Sequence, residues 1–390
     1  MLFKIAIKNL LGSRLRTFLN VIVTSISFFM IIFITGMYDG MRQYAKKVTI
    51  DTEIAGGAYW HPKYDPMDPL LFEKAHSEVP TEVNKLILDD KAVPVLVSQV
   101  AIYPNGRIMP VIMKGIYPDQ NIIKMPTETL NSDDVNIPVL IGRGMAKNAK
   151  IELGDSFTIR WLDSDQTYDA DEGTVVHIMD TENFKIDIGH IWVPIEKAQS
   201  MLAMENEATY VIHAKKEKKI VNTETWIHRD ENYLIRDIEA AIEADEPANR
   251  IMFAILLSLS AMGIFNAQVL SIFRRGKEIG TLMALGMTRS KVITLFTIEG
   301  GINAIFAMIL NIFPFGIILW WTAKYGIPLP MDYTEMGFLI AKRLMPIYSI
   351  GLIASTILLV SCIVIIVSYL PSRKIAKLKP TDALRGKTVA

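Results

Sequence analysis

Carboxylates and imidazoles crowd several stretches of this chain, and each invites a specific chemistry. Asp163, Asp165, Asp169, Asp171 and Glu172 are close enough in sequence to suggest a calcium loop. Their spacing does not follow the EF-hand pattern, and no glycine stands at its sixth position. Residues 163–173 therefore read as a solvated hairpin or loop. The six histidines, His61, His76, His177, His190, His213 and His228, are scattered. They form no H-E-x-x-H run and no Cys/His spacing, so no zinc site is expected. The chain has no G-x-S-x-G elbow and no G-x-x-x-x-G-K-[ST] phosphate loop. No pair of carboxylates is placed by a motif. The expectation is a chain with no catalytic, cofactor-binding or metal residue of its own and no nucleic-acid partner.

The sharpest pattern is instead a device for contact. The segment 274–298 runs Arg274-Arg275-Gly276-Lys277-Glu278-Ile279-Gly280-Thr281-Leu282-Met283-Ala284-Leu285-Gly286-Met287-Thr288 into a second apolar-periodic stretch. On a helix, Ile279, Leu282, Met283 and Gly286 fall at i, i+3, i+4 and i+7 and form one stripe. Gly286 can end this helix and Thr288 can cap the next. Such a stripe can lie on lipid headgroups or dock in a partner's groove.

The elements that hold this segment are long and apolar. Thr17–Tyr38, Ile251–Phe273, Gly300–Trp321 and Ile347–Leu370 contain no Asp, Glu, Lys or Arg. At about 1.5 Å of rise per residue each can cross a hydrocarbon core of about 30 Å. Backbone in lipid must satisfy itself, so these are expected to be helices. The N-terminal one is too long for a signal-peptide core, lacks a cleavage site, and reads as an uncleaved anchor. Asn20, Asn266, Gln268, Asn303 and Asn311 lie inside these runs and serve either a polar path or, more commonly, interhelical hydrogen bonds. Pro314 is expected to kink the third run, and Trp320, Trp321 and Tyr325 to mark its interfacial end.

Charge sets the orientation. The formal total is +0, but it hides two opposed regions. Lys4, Lys8, Arg14 and Arg16 precede the first run, and Arg274, Arg275, Lys277, Arg289 and Lys291 fill the loop 274–298. Arg373, Lys374, Lys377, Lys379, Arg385 and Lys387 fill the tail. Only Glu278 and Asp382 oppose them there. Residues 39–250 are rich in acid instead. Short basic loops stay in the cytoplasm, so both termini are expected inside and the 39–250 domain outside. The single cysteine, Cys362, lies in the fourth run, so the exported domain has no disulfide.

That domain reads as mixed α and β. Pro104-Asn105-Gly106 separates two Val/Ile-rich runs, Ala92–Tyr103 and Arg107–Ile116, a hairpin signal. Further strands are expected at Pro138–Ile141, Ser156–Trp161, Thr174–Met179, Gly189–Val193 and Thr209–Ala214, with a turn at Leu153-Gly154-Asp155. Helices are expected at Gly144–Lys150, Glu196–Glu205 and Ile220–Ala244. The fold class is thus an α-helical membrane protein with four transmembrane helices (1+3) and a large mixed α/β extracytoplasmic domain between helices 1 and 2. Its divisions are 1–38, 39–250, 251–273, 274–298, 299–370 and 371–390.

Several runs carry a resemblance. Lys277-Glu278-Ile279-Gly280-x-Leu282-x-Ala284-Leu285-Gly286 with Phe296-x-x-Glu299-Gly300 resembles the coupling segment of FtsX/MacB/LolC-type ABC transporter permeases. Tyr369-x-Pro371-x-Arg373-x-x-Ala376-x-x-x-Pro380-x-x-Ala383-Leu384-Arg385 is similar to that family's tail. Ala6-x-x-Asn9-Leu10, Arg14-x-Arg16-Thr17 and Asp39-Gly40-Met41 resemble its entry. In the domain, Ile141-Gly142-x-Gly144-x-Ala146, Gly154-Asp155 and Val193-Pro194-x-x-x-Ala198-Gln199 do so too. Met283 stands where a basic residue is common.

The resemblance implies a non-catalytic permease working by mechanotransmission. ATP is bound by a separate ABC ATPase dimer, because only a short segment precedes the first run. Lys277, Glu278, Ile279, Gly280, Leu282, Met283, Leu285 and Gly286 would couple to that ATPase, and Arg373, Pro380, Leu384 and Arg385 would make tail contacts. Further implied partners are a second permease copy or paralogue, a periplasmic carrier or adaptor, and membrane lipid, all at the cell inner membrane. The stand-alone permease, the Gly57-x-Tyr59-x-His61-Pro62 stretch and the Asn-Gly hairpin point to lipoprotein release of the LolC/LolE type. MacB-type efflux and FtsX-like control of a cell-wall hydrolase are the alternatives. A transmembrane sensor would need a cytoplasmic signalling domain, and a membrane enzyme would need a motif.

Overall fold

The computed structural model describes residues 2–132, 134–217, 220–329 and 343–375. They divide into two compact units. Among the described residues, a helical unit takes the chain up to Met41, Glu243–Pro328 and 343–375, and an α/β unit takes Arg42–Ile242.

Helix α1 (Leu2–Gly12) is amphipathic and buries Ala6 and Leu10. A corner follows. Ser13 Oγ donates to Asn9 O at 2.8 Å, and Thr17 Oγ1 donates to Leu10 O at 2.8 Å. These hydroxyls take up carbonyls that the end of α1 would leave orphaned. Helix α2 (Arg14–Thr49) then runs into a π-helical turn, Ile50–Ile54. The helix thus continues well beyond Tyr38, where the apolar run stops. Loss of apolarity ends a membrane-crossing stretch but not a helix: the polar continuation carries Lys46, which pairs with Glu239.

The α/β unit holds the strands β1 (Gly57–Trp60), β2 (Ser77–Glu78), β3 (Ala92–Tyr103), β4 (Met109–Ile116), β5 (Ile137–Gly142) and β6 (Ser156–Leu162). It continues with β7 (Tyr168–Met179), β8 (His190–Pro194), β9 (Glu207–Ala208), β10 (Tyr210–His213) and β11 (Ile227–Asp230). Its helices are α3 (Thr81–Leu88), α4 (Arg143–Ala149), α5 (Phe184–Asp187), α6 (Ile195–Leu202), α7 (Glu231–Leu234) and α8 (Arg236–Ala244). The main sheet has the order β11-β1-β10-β3-β4-β8-β5-β7-β6, and β3 also pairs with β6. Six strands from β3 to β6 therefore close on themselves. The pairs β4–β8 and β5–β7 are parallel and the other pairs of this ring antiparallel. Alternate residues of all six strands, among them Val100, Met113, Val139, Ile159, Val175 and Ile191, meet in one core with α4 and α6. Closure leaves these strands without a free edge.

The 104–106 hairpin forms as its residues dictate: Asn105 and Gly106 have φ of 51° and 74°. One expectation resolves and another fails. Of the hairpin and loop readings of 163–173 the hairpin forms: residues 168–173 are the first half of β7, with Asp169 opposite Trp161 and Asp171 opposite Ile159. Pairing with β6 overrides the low strand preference of aspartate, and the turn shrinks to Asp163–Thr167, where Asp163 Oδ1 accepts from Thr167 N at 2.7 Å. Ile220–Ala244 is not one helix. Thr223 Oγ1 bonds both the carbonyl and the N–H of Trp226, a local bond that competes with helix. β11 then adds to β1 before α7 and α8 begin.

Helices α9 (Glu246–Arg274), α10 (Gly276–Ala284), α11 (Arg289–Leu310), α12 (Gly316–Tyr325) and α13 (Ile350–Ile375) complete the helical unit. Pro314 sits in a π-helical turn, Asn311–Phe315, that joins α11 to α12. The proline lacks an N–H, and the wider turn carries the chain past it, with Gly316 N–H donating to Asn311 O. Among the described residues, four helical stretches are long and apolar enough to cross a membrane: Thr17–Ile54, Glu246–Arg274, Arg289–Tyr325 and Ile350–Arg373.

Some polar groups in these stretches pair between helices. Ser25 Oγ donates to Ala307 O at 2.9 Å, and Asn311 Nδ2 donates to Ser25 O at 3.1 Å. Gly300 on α11 admits Ser368 of α13 so closely that a Cβ would overlap it. Small residues at such crossings let helix backbones approach.

Candidate functional site

The elbow between α9 and α11 is built by capping. At its far end Gly286, with φ 92°, closes α10 in a Schellman motif: Met287 N–H donates to Leu282 O at 3.0 Å and Gly286 N–H to Met283 O at 3.1 Å. Thr288 then caps α11 by accepting from Lys291 N–H.

At its near end lies a buried ion pair. The Arg275 guanidinium donates to Glu299 on α11 and, at 2.6 Å, to Glu278 on α10. Asn9 Nδ2 of α1 donates to the second Glu299 oxygen at 2.9 Å. Arg275 also lies 4.6 Å from the centre of the Phe296 ring. Arg275 and Glu299 are each 5 % exposed. Burial works against the guanidinium's charge, but Glu299 and Glu278 outweigh it and its pKa lies above the usual value. Glu278 and Glu299 thus converge on one cation, and Asn9 joins the network through Glu299, which ties α1, α10 and α11 together. Arg275 itself was legible only as one of several loop charges.

The network fixes which face of α10 is free. Ile279 is 1 % exposed and packs with Ile272, Val292 and Phe296. Met283 leans on the same cluster, and Leu282 packs with Ala6, Leu10 and Leu295. The stripe expected to face a partner is therefore largely turned into the chain. Gly280 is buried, Lys277, Glu278 and Gly286 are exposed, and Leu285 is 80 % exposed at the tip. In the tail, Arg373 is exposed on α13, while Pro380, Leu384 and Arg385 lie outside the described residues.

In the α/β unit the motif residues have mechanical explanations. Asp187 accepts from Gly144 N–H at 3.0 Å, and a Cβ on Gly142 or Gly144 would overlap it. Burial raises the Asp187 pKa and the Gly144 N–H opposes that rise. Ala198 of α6 lies over Gly115 of β4, where a Cβ would come within 2.6 Å. Gln199 Nε2 donates to Glu207 O at 2.9 Å. Gly154 takes φ 89° in its turn.

A cavity of about 860 Å³ opens in this unit among Trp60, Tyr64, Phe72, Lys114, His190, Tyr210, Arg229 and Tyr233. Lys114, 6 % exposed, stands 3.7 Å from Glu53 and 4.9 Å from the Trp192 ring centre. Burial and the Lys114 charge push His190 down to about 4. Beside β1, His213 Nδ1–H donates to Ala214 O at 3.2 Å, which leaves its Nε2 to accept from His228 Nε2–H at 3.1 Å. Burial lowers both pKa values. Among the described residues no group of three or more His, Cys, Asp or Glu is placed to hold a metal ion.

These imidazoles set a pH dependence. Unfolded histidine titrates near about 6.5, while folded His190 resists protonation down to about 4. The unfolded state then binds more protons, so stability is full above 6.5 and falls as pH drops through the interval toward 4. The stability against denaturant, measured at β4 and β8 by probes whose own signal does not vary with pH, should fall as pH drops over that window, and His190→Gln should flatten the change. An unaltered profile in that variant would remove His190 from the account.

Comparison with known proteins bears on the elbow directly. Residues 250–380 match the family model described as FtsX-like permease C-terminal. LolC, the lipoprotein-releasing system transmembrane protein of Neisseria meningitidis, is 22% identical over 78% of this chain and 80% of its own. The uncharacterized ABC transporter permease MJ1507 of Methanocaldococcus jannaschii is 32% identical over 34% of this chain and 31% of its own. The macrolide export ATP-binding/permease protein MacB of Hahella chejuensis is 22% identical over 50% of this chain. The chain spans 30% of that MacB. The structure of the extracellular domain of the transporter YknZ gives a TM-score of 0.27 at 13% identity, covering 42% of this chain and 84% of that one, too slight a likeness to bear on the fold. The capped elbow lies inside the stretch that matches the FtsX-like permease model, and with the membrane-length helices and these relatives it supports an ABC transporter permease of the FtsX/MacB/LolC type, a non-catalytic membrane subunit.

Proposed function

We propose that the chain works by mechanotransmission with a separate ATPase dimer and serves lipoprotein release from the inner membrane. ATP-bound ATPases press on the tip of α10, and the helices relay that push toward the extracytoplasmic α/β domain. Two permeases, identical or paralogous, flank the ATPases, and a periplasmic carrier takes the product. The basic residues on the 274–298 loop and both termini support a cytoplasmic position for the elbow, with one membrane helix before the domain and three after it. The likeness to LolC over most of both chains supports the lipoprotein substrate. Export of the MacB type is the second reading, supported by a MacB match over half of this chain.

The observation that carries the coupling role is the exposed Leu285 at the tip of a helix pinned by a buried ion pair. A leucine so exposed contributes little to its own chain but can fill a partner's groove. Leu285→Glu should leave membrane insertion intact and abolish co-purification of the ATPase, since a buried carboxylate without a partner costs several kcal/mol. Ser290→Glu, on the exposed first turn of α11, should change binding by less than about 0.5 kcal/mol. Pull-down from co-expressing cells measures both. Equal retention of the ATPase by the two variants would refute docking at α10.

A further inference from the structure

A second cavity, of about 510 Å³, lies between the corner that starts α2 and the last turns of α9. Its two walls share one polarity gradient. At one end stand Arg14 and Arg274, together with Ser13 and Ser271. Deeper in, the lining is Leu19 and Leu270, with their apolar neighbours one turn on. The apolar runs of both helices end close to this point in the sequence, at Arg16, two residues past Arg14, on one and at Arg274 on the other. The guanidiniums therefore sit where hydrocarbon gives way to headgroups.

Both cations are exposed, and among the described residues neither forms an ion pair. Two guanidiniums lining one cavity without a counter-charge repel each other and favour an anion between them. Asn20 adds a second observation. It lines the same cavity, is only 7 % exposed, and its carboxamide makes no hydrogen bond among the described residues. A buried amide without a partner is costly, and a ligand oxygen would relieve it. Leu19 and Leu270 are 55% and 54% exposed, so the apolar half is uncovered as well.

We propose that this cavity is a specific site for an anionic phospholipid: the phosphodiester lies between Arg14 and Arg274, with Ser13, Ser271 and Asn20 as further hydrogen-bond partners, and the acyl chains run down over Leu19 and Leu270. A phosphodiester accepts several charge-assisted bonds from paired arginines. Basic pockets between membrane helices at the basic face are suited to acidic headgroups. The site lies apart from the α10 tip, and it depends only on the helices crossing a membrane.

Native mass spectrometry of the full chain in nonionic detergent tests this, with phosphatidylglycerol and phosphatidylcholine as probes. The wild type should retain phosphatidylglycerol over phosphatidylcholine, and Arg14→Gln/Arg274→Gln should lower that adduct by about tenfold or more. Lys8→Gln/Arg289→Gln removes the same charge from exposed sites elsewhere and should leave it unchanged. Leu270→Trp keeps both arginines but fills the cavity, and it should also displace the lipid. Equal retention of the two lipids, or an equal loss in the control pair, overturns the proposal. So does complete displacement by inorganic phosphate, which would mean a free-anion site. If the adduct forms only on monomer and is lost on dimerisation, a second copy of the chain is the occupant and the proposal fails.

Discussion

Replacing Glu299 by alanine will cost the helical unit about 3–5 kcal/mol, because it strands Arg275 as a buried charge. Arg275 is 5 % exposed and among the described residues has one other acidic partner, Glu278. The same substitution takes away the acceptor for Asn9, so α1 should lose its polar tie to α11. Faster hydrogen exchange across Leu2–Gly12 and a lower melting temperature in detergent would report both effects. Glu278→Ala should cost no more than about 1 kcal/mol, since that side chain is 57% exposed and well solvated. The double variant Arg275→Met/Glu299→Leu should recover much of the loss, because an apolar pair in place of a buried ion pair is often neutral. If Glu299→Ala and Glu278→Ala melt alike, the ion pair is not what holds the elbow.

Two neighbouring glycines should respond with opposite sign to the same change. A Cβ on Gly300 would overlap Ser368 Oγ and lie 2.6 Å from Ser368 Cβ, whereas one on Gly301 meets nothing within 4 Å. Gly300→Ala must push α11 and α13 apart, an overpacking penalty of about 1–3 kcal/mol. Gly301→Ala should instead stabilise α11 by about 0.5–1 kcal/mol, the ordinary gain of alanine over glycine in a helix. Ser368→Gly removes both overlapping atoms and should rescue Gly300→Ala. Thermal melts of the four variants decide it. Destabilisation by both single glycine changes would show that local helix geometry, rather than the crossing, governs the site.

What could be read in the sequence depended on whether the cause was local. The four apolar runs, the Asn105-Gly106 turn, the Gly286 stop and the Thr288 cap all follow from residues within a few positions of one another, and each forms. The face of α10 did not follow. Ile279 and Leu285 are both apolar, and only the packing of Ile272, Val292 and Phe296 decides that the first turns inward. In the same way, Asp169 and Asp171 leave hairpin and loop both open until β6 supplies a partner strand. Gly142 and Gly144 were visible as a motif, but the reason for them, Asp187, lies more than 40 positions away. The closing pair β3–β6 and the Arg275–Glu299 bond are likewise long-range facts, with no periodicity to announce them.

The wide turn at Asn311–Phe315 also fixes direction along the helix that contains it. A turn that takes in one extra residue rotates everything beyond it by about 100° around the helix axis, compared with an uninterrupted α-helix. Trp320 and Trp321, 59% and 51% exposed, point where they do because that extra residue is present. The proline that forbids a regular turn therefore acts as an indexing tooth: it sets the compass bearing of the aromatic end without touching it. Losing a single residue from 311–315 would leave the length almost unchanged and swing both indoles onto a different side of the helix.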